Sequence, residues 1–130
     1  MNHEIRFELT PADVRNFSGE AFTRLMGAAD SSTAVKLYYV RFEPRARTFW
    51  HAHQGRQVLV VTAGRCRYQI EGGAILELVE GQSISFEEGV RHWHGAAEDE
   101  AAEHIAINLA VGETLWYEEV VLPGEGGRAL

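Results

Sequence analysis

Residues 50–57 read Trp-His-Ala-His-Gln-Gly-Arg-Gln, and residues 91–97 read Arg-His-Trp-His-Gly-Ala-Ala. Each stretch contains two histidines separated by one residue, and these histidines are His51, His53, His92 and His94. Successive side chains of a β-strand point to opposite faces, so the two histidines of each pair share a face. Packed imidazoles are hard to satisfy without a cation, and imidazole suits several transition metals. The pattern favours a metal site over the alternative of ordinary histidines satisfied by hydrogen bonds.

The sequence around these pairs predicts short β-strands separated by turns. The predicted strands are Val35–Phe42, Val58–Thr62, Arg67–Ile70, Ile84–Phe86 and Ile105–Val111. Such strands are typical of an antiparallel sandwich or barrel, and no segment supplies the helical crossovers of a parallel sheet. Gly64 marks one of the predicted turns. We therefore expect an all-β fold.

One helical turn is expected near the N-terminus. Thr10 would be its N-cap, Pro11 its first helical residue, and Asp13 would lie near its positive end. This turn is the only departure that we expect from an all-β chain.

Composition limits the class of protein. The chain has 130 residues, of which 45% are hydrophobic, so one domain over residues 1–130 is expected. The net charge of −7 argues against nucleic acid and anionic membranes as partners, and no apolar run is long enough to span a bilayer. The start of the chain lacks a signal pattern, so a cytoplasmic protein is expected. The single cysteine, Cys66, excludes an internal disulfide and is expected to be a packing residue.

Gln57 follows the first histidine pair and has the same strand parity as Leu59 and Val61, so it should face the same interior. A glutamine oxygen can coordinate a metal but carries no charge. If Gln57 joined neutral histidines at a divalent ion, all the donors would be uncharged and the full +2 charge would stay on the ion. Such a site favours anionic or ionising ligands, so we expect non-redox chemistry more than redox chemistry.

These residues resemble the two motifs of the cupin family. The first motif, Gly-x5-His-x-His-x3–4-Glu-x6-Gly, corresponds to residues 45–64, and the second, Gly-x5-Pro-x-Gly-x2-His-x3-Asn, corresponds to residues 81–96. The chain departs from them at four positions, which are Arg45 for Gly, Gln57 for Glu, Glu87 for Pro and Ala96 for Asn. The resemblance implies a double-stranded β-helix, or jelly-roll barrel.

More narrowly, the sequence around both histidine pairs is similar to small single-domain bacterial cupins, a subgroup that includes manganese-dependent cupin hydroxynitrile lyases. The resemblance implies a metal site formed by His51, His53, Gln57 and His92. It also implies catalytic roles for His94, His104, Thr48 and Asn108. The lyases carry glutamine where Asn108 stands. His94 suits acid–base work, because the ordinary pKa of histidine lies near neutral pH.

Strand periodicity conflicts with part of this assignment. His104 and Asn108 share one parity, whereas Ile105 and Ile107 share the other, strongly apolar parity. By periodicity alone, the isoleucines would face the core and His104 would face water. We nevertheless expect His104 in the pocket, because the resemblance places it there.

Three functions remain open at this level. The first is a metal-dependent lyase or isomerase acting on a small oxygenated molecule, with cyanohydrin cleavage as the first reaction to test. The second is a metal-dependent dioxygenase, and the third is a non-catalytic binding or sensor module. Manganese is the favoured cofactor, with iron, nickel, cobalt, zinc and copper as alternatives. The large aromatics, Trp50, Trp93, Trp116 and Tyr117, are expected to pack against a second layer or a subunit interface. The resemblance implies a homodimer.

Overall fold

The computed structural model describes residues 8–28, 35–109 and 112–125. These residues form twelve strands and no helix. The strands in chain order are β1 Thr10–Pro11, β2 Phe17–Ser18, β3 Ala21–Ala28, β4 Lys36–Phe42, β5 Arg47–Thr48, β6 His51–His53, β7 Gln57–Ile70, β8 Leu76–Val79, β9 Ser83–Phe86, β10 His92–Ala96, β11 Ala102–Asn108 and β12 Thr114–Trp116. No described segment is a helix of the length and apolarity needed to cross a membrane.

The strands form an antiparallel sheet that curls into a barrel. Its main path is β1-β3-β4-β11-β7-β10-β5-β2, with β8 and β9 also paired to β7, and with β6 joining β12 to β10. The all-β jelly-roll expected from the sequence is therefore confirmed. The curl brings β6, β7, β10 and β11 around one interior, and these strands carry the histidines.

Strand β7 is one continuous strand of 14 residues, so the turn predicted at Gly64 is wrong. Its first half pairs with β11 and β9, and its second half pairs with β10 and β8. Gly64 has a φ of +73°, and a Cβ at this position would lie 1.9 Å from the carbonyl oxygen of Ala101. Glycine thus lets the strand bend from one half of the barrel to the other without ending.

The helical turn expected at Thr10 is also wrong. Thr10 and Pro11 form β1 and pair with β3, and the Thr10 hydroxyl donates to the carbonyl oxygen of Thr23 at 3.2 Å. A hydrogen-bonded turn follows, in which the amide of Asn16 donates to the carbonyl of Asp13 at 2.9 Å. Pairing with β3 overrides the capping tendency of the threonine, as tertiary context commonly does.

Arg45 occupies the position where the cupin motif has glycine, and its φ is +74°. It is the only non-glycine residue with positive φ in the described ranges. A left-handed conformation costs an L-residue roughly 1–2 kcal/mol. The motif position therefore requires a left-handed turn, and this chain forms it with a strained arginine.

A C-terminal segment covers the outer face of β10. Trp93 points away from the histidines yet is fully buried, because Val120 and Leu122 pack against it. The guanidinium of Arg47 holds this segment by donating to the carbonyl of Val120 at 2.9 Å. Part of the expected second layer over the aromatic residues is thus supplied by the same chain.

Cys66 lies in the core and packs among apolar residues, as expected. Burial raises the pKa of its thiol to about 12. The thiol is therefore protonated at neutral pH and is unsuited to act as a nucleophile.

Candidate metal centre

Three histidines converge because β6 and β10 are neighbours, with His51 directly opposite His92. The ring centroids of His51 lie 5.0 Å from His53 and 4.4 Å from His92. One ring nitrogen from each of the three lies within 4.8 Å of the others. The alternation along β6 and the pairing of β6 with β10 thus give the arrangement that the His-x-His pattern predicts.

Local hydrogen bonds orient two of these rings in the same way. Nδ1 of His51 lies 2.9 Å from the carbonyl oxygen of Phe49, and Nδ1 of His92 lies 2.8 Å from that of Val90. A carbonyl oxygen only accepts, so each Nδ1 carries the proton and donates it. Each Nε2 therefore keeps its lone pair and faces the centre of the cluster, which is the tautomer that binds metal.

The third ring is held by a residue from a distant strand. Nδ1 of His53 lies 3.1 Å from the hydroxyl oxygen of Thr114 on β12. Its Nε2 is buried and has no hydrogen-bond partner among the described residues. An orphaned buried nitrogen aimed at two other imidazoles is the environment expected of a metal ligand.

Gln57 adds an oxygen to the cluster. Its amide nitrogen donates to Oδ1 of Asn108 at 2.9 Å, which turns Oε1 toward Nε2 of His92 at 3.1 Å. Both facing atoms are acceptors, because the proton of His92 is on Nδ1. Two acceptor atoms this close are unfavourable unless a cation neutralises them. The donor set therefore fits a divalent ion held by three imidazole nitrogens and one amide oxygen.

Burial keeps these imidazoles neutral. Burial, with His92 and His53 nearby, lowers the pKa of His51 well below its usual value. Burial, assisted by His53 and opposed by the hydrogen bond to Val90, lowers the pKa of His92 to about 4. Burial also lowers the pKa of His53, although the nearby Gln57 side chain opposes this effect. Neutral imidazole is the form that binds a metal, so the site is preset for binding at neutral pH.

His94 and His104 form a second, adjacent pair. Nε2 of His104 lies 3.1 Å from Nδ1 of His94, and both side chains are buried. Nε2 of His94 is buried and has no partner among the residues that the structure describes. Burial lowers the pKa of His94 well below its usual value and that of His104 to about 4. The pair is therefore neutral at pH 7, and two of its ring nitrogens have no partner among the described residues, Nε2 of His94 and Nδ1 of His104.

Thr48 lies between the two groups of histidines. Its hydroxyl oxygen accepts a hydrogen bond from the backbone amide of His94 at 3.2 Å and lies 3.4 Å from Nδ1 of His51. Both contacts are buried. Thr48 thus links the predicted metal ligands to the predicted acid–base pair.

A cavity of about 310 Å³ opens onto these residues. Its walls combine polar side chains of the cluster with apolar side chains of β2, β4, β11 and β12. Lining residues include His51, His53, Gln57, His94, Tyr38, Val40, Ala106 and Trp116. This volume suits a small molecule that has one polar end and one apolar end.

In the structure, the polar residues His104 and Asn108 of β11 face the interior of the barrel. His104 is fully buried and inward, and Asn108 lines the cavity. Ile105 and Ile107 face outward and are half-buried against the neighbouring strands β4 and β7. Periodicity alone fails here because the outer face of this sheet is itself apolar, so hydrophobicity does not mark the inner face.

Three residues near the cluster were not predicted from the sequence. Thr114 contacts His53, Trp116 packs on His51 with ring centroids 4.7 Å apart, and Phe86 stacks on His92 at 3.8 Å. Thr114 and Trp116 come from a strand of only three residues, which is too short for a periodicity signal. Phe86 lies at the end of a strand predicted from the sequence. Its stacking on His92 was not predictable, because it depends on how the barrel curls.

Comparison with known proteins agrees with the fold. The Cupin_2 family, described as a cupin domain, matches residues 38–108, which contain the strands of both motifs. The chain belongs to this family.

Individual relatives are more specific. An (R)-mandelonitrile lyase from Granulicella tundricola is 52% identical over 83 residues, which cover 62% of this chain and 63% of that protein. The match thus spans less than two thirds of the relative's length. A cupin-like protein from Thermotoga maritima is 34% identical, with 97% of each chain covered and a TM-score of 0.85. A cupin-2 domain from Rhodospirillum rubrum shares the fold at 15% identity, with 100% of this chain and 88% of that chain covered and a TM-score of 0.70.

Proposed function

We propose that this chain is a metal-dependent lyase acting on a small oxygenated molecule, with cyanohydrin cleavage as its reaction. The observation that carries the proposal is the contact between two acceptors, Nε2 of His92 and Oε1 of Gln57, beside the free Nε2 of His94. The contact between two acceptors is favourable only with a cation between them, and Nε2 of His94 is a base next to that position. The similarity to an (R)-mandelonitrile lyase supports the choice of reaction.

The metal would be held by His51, His53, His92 and Gln57, with Mn²⁺ as the first ion to test. When bound, a divalent ion at such a site supplies Lewis acidity toward a hydroxyl or carbonyl oxygen. Because all four donors are uncharged, the site keeps an excess positive charge that attracts an ionising oxygen. The buried neutral rings support this assignment.

His94 would move the proton. Its hydrogen bond with His104 can form with either ring as the donor, because an imidazole nitrogen can donate or accept. When Nδ1 of His94 donates to His104, Nε2 of His94 has a lone pair and can accept the hydroxyl proton of a cyanohydrin. Cleavage of the carbon–carbon bond then gives an aldehyde and cyanide, and His94 returns the proton to cyanide as hydrogen cyanide.

Thr48 and Asn108 would orient the reacting groups. The Thr48 hydroxyl fixes the backbone of His94 and so places its ring at the cavity wall. Asn108 fixes the amide of Gln57 and so presents Oε1 to the metal position. Tyr38, Val40 and Ala106 would receive the apolar part of the substrate.

The proposal is tested with mandelonitrile and protein loaded with Mn²⁺. Wild-type protein should release benzaldehyde, and His94→Ala should lose most of this activity while retaining metal, because only the base is removed. Mutagenesis of a general base commonly costs about 10²–10⁴-fold in rate. Leu76→Ala, at an exposed position of β8, should keep full activity and serves as the control.

Two outcomes would contradict the proposal. Full activity in His94→Ala would remove the role given to that ring. Wild-type protein that contains metal but does not cleave mandelonitrile would remove the proposed reaction, and oxygen consumption with chelating diketones would then favour the dioxygenase alternative.

A further inference from the structure

The three ligand histidines differ in what holds them. His51 and His92 each donate from Nδ1 to the carbonyl of the residue two positions earlier, a bond made within one loop. His53 instead has Thr114, which is 61 residues away in sequence. The orientation of the His53 ring therefore depends on the position of β12 and on the Thr114 side chain, which can be replaced by mutation.

Strand pairing places Thr114 with precision. In β12, Thr114 lies directly opposite His53, and Trp116 lies directly opposite His51. The strand is anchored at both ends. The amide of Glu113 donates to Oε1 of Gln54 at 3.0 Å, and the amide of Tyr117 donates to the carbonyl of Trp50 at 2.9 Å.

The chemistry of His53 requires an acceptor at this position. If Nε2 binds a metal, the proton of the ring must be on Nδ1, and a half-buried N–H without an acceptor is unfavourable. The hydroxyl oxygen of Thr114, 3.1 Å away, is the acceptor available. Partners of this kind fix the tautomer and the direction of a ligand ring.

We propose that Thr114 is a positioning residue of the metal site, whose hydroxyl accepts the Nδ1 proton of His53 and directs Nε2 of that ring to the ion. This inference rests on the metal-dependent function proposed above. It extends the site to β12, which contributes no ligand of its own.

The test compares three variants of the full chain after removal of metal with a chelator. Thr114→Val keeps the shape of the side chain but removes the acceptor, Thr114→Ser keeps the hydroxyl, and Leu115→Val changes the exposed neighbour on the other face of β12. The affinity for Zn²⁺ is measured by competition with a chromophoric chelator. The ring tautomer of His53 is read from long-range ¹H–¹⁵N spectra of the Zn²⁺-loaded proteins.

We expect Thr114→Val to weaken Zn²⁺ binding by about 10–100-fold, the usual effect of losing such a partner. The Nδ1–H signature of His53 should shift or disappear in this variant, which a loss of general stability would not cause. Thr114→Ser and Leu115→Val should bind close to wild type and keep the signature.

Distinct results overturn distinct claims. If wild-type protein binds Zn²⁺ and Thr114→Val matches it in affinity and tautomer, Thr114 has no positioning role, although the metal site stands. If Thr114→Ser is as weak as Thr114→Val, the hydroxyl is not the cause. If the wild-type protein binds no Zn²⁺, the proposed function fails together with this inference.

Discussion

The two His-x-His pairs have the same spacing and similar burial, yet their rings have different partners. His51, His53 and His92 each place Nδ1 against an oxygen atom, so their Nε2 atoms converge. His94 places Nδ1 against a ring nitrogen of His104. The two rings of the second pair therefore have different surroundings, whereas both rings of the first pair face one centre.

This difference explains why one ring suits proton transfer and the others suit ligation. At His51 and His92 the carbonyl partner cannot donate, so it fixes the proton on Nδ1 and leaves a permanent lone pair on Nε2. An imidazole partner can donate or accept, so His94 can have either a proton or a lone pair on Nε2. Spacing places the four rings, and the partner of each Nδ1 determines its chemistry.

The largest expected effect tests whether the buried imidazoles of the interior are neutral, as the comparison assumes. His104 has a pKa of about 4 in the fold against an ordinary value of 6.5. Between these values the unfolded chain binds the proton and the folded chain does not, so stability rises with pH across this window. In metal-free protein, His104 alone should remove roughly 3 kcal/mol of stability as the pH falls from 6.5 to 4, with the loss complete below the folded pKa.

Guanidinium unfolding at several pH values between 7.5 and 4 measures this effect. His104→Leu is the matched variant, because it replaces the imidazole with an apolar side chain of similar size that does not titrate. Its free energy of unfolding should depend less steeply on pH. A stability that is flat over this range in the wild-type protein would mean that the rings are solvated or charged, and the comparison would fail.

A smaller effect concerns the turns that precede the two pairs. The first turn reaches positive φ with Arg45, and the second reaches it with Gly89 at +77°. A Cβ at Gly89 would meet nothing within 4 Å, so only the positive φ disfavours a side chain at this position. The Arg45–Glu98 ion pair is exposed and should contribute little.

Reciprocal substitutions sharpen this comparison. Arg45→Gly should raise the free energy of unfolding by about 0.5–1 kcal/mol, since relief of strain exceeds the extra entropy of glycine in the unfolded chain. Gly89→Ala should lower it by about 1 kcal/mol. Chemical denaturation measures both, and a destabilised Arg45→Gly would show that the arginine side chain matters more than its backbone.

The convergence of the histidines was predictable from sequence because alternation on a strand is a local rule. His51 and His53 share a face by spacing alone, and the resemblance to the cupin motifs adds His92 and Gln57. The bend at Gly64 was not predictable, because only the approach of Ala101 from another strand shows that the glycine continues a strand instead of ending it.

The outer parts of the site depend on long-range placement. Thr114 contacts His53 only because β12 pairs with β6. A strand of three residues is too short for the sequence to indicate that pairing. His104 faces inward, as the family resemblance implies and against the periodicity, because the outer face of β11 is also apolar. Neither spacing nor composition indicates which nitrogen of each ring is free.

The most direct test is the metal content and affinity of His92→Ala compared with His94→Ala, both purified without chelators and analysed with the wild-type chain. Wild-type protein should hold about one divalent ion per chain. His92→Ala should lose more affinity than the roughly 100-fold typical of an outer partner, while His94→Ala should bind like wild type. Equal metal loss in both variants, or metal retained in His92→Ala, would contradict the division of the second pair between ligand and base.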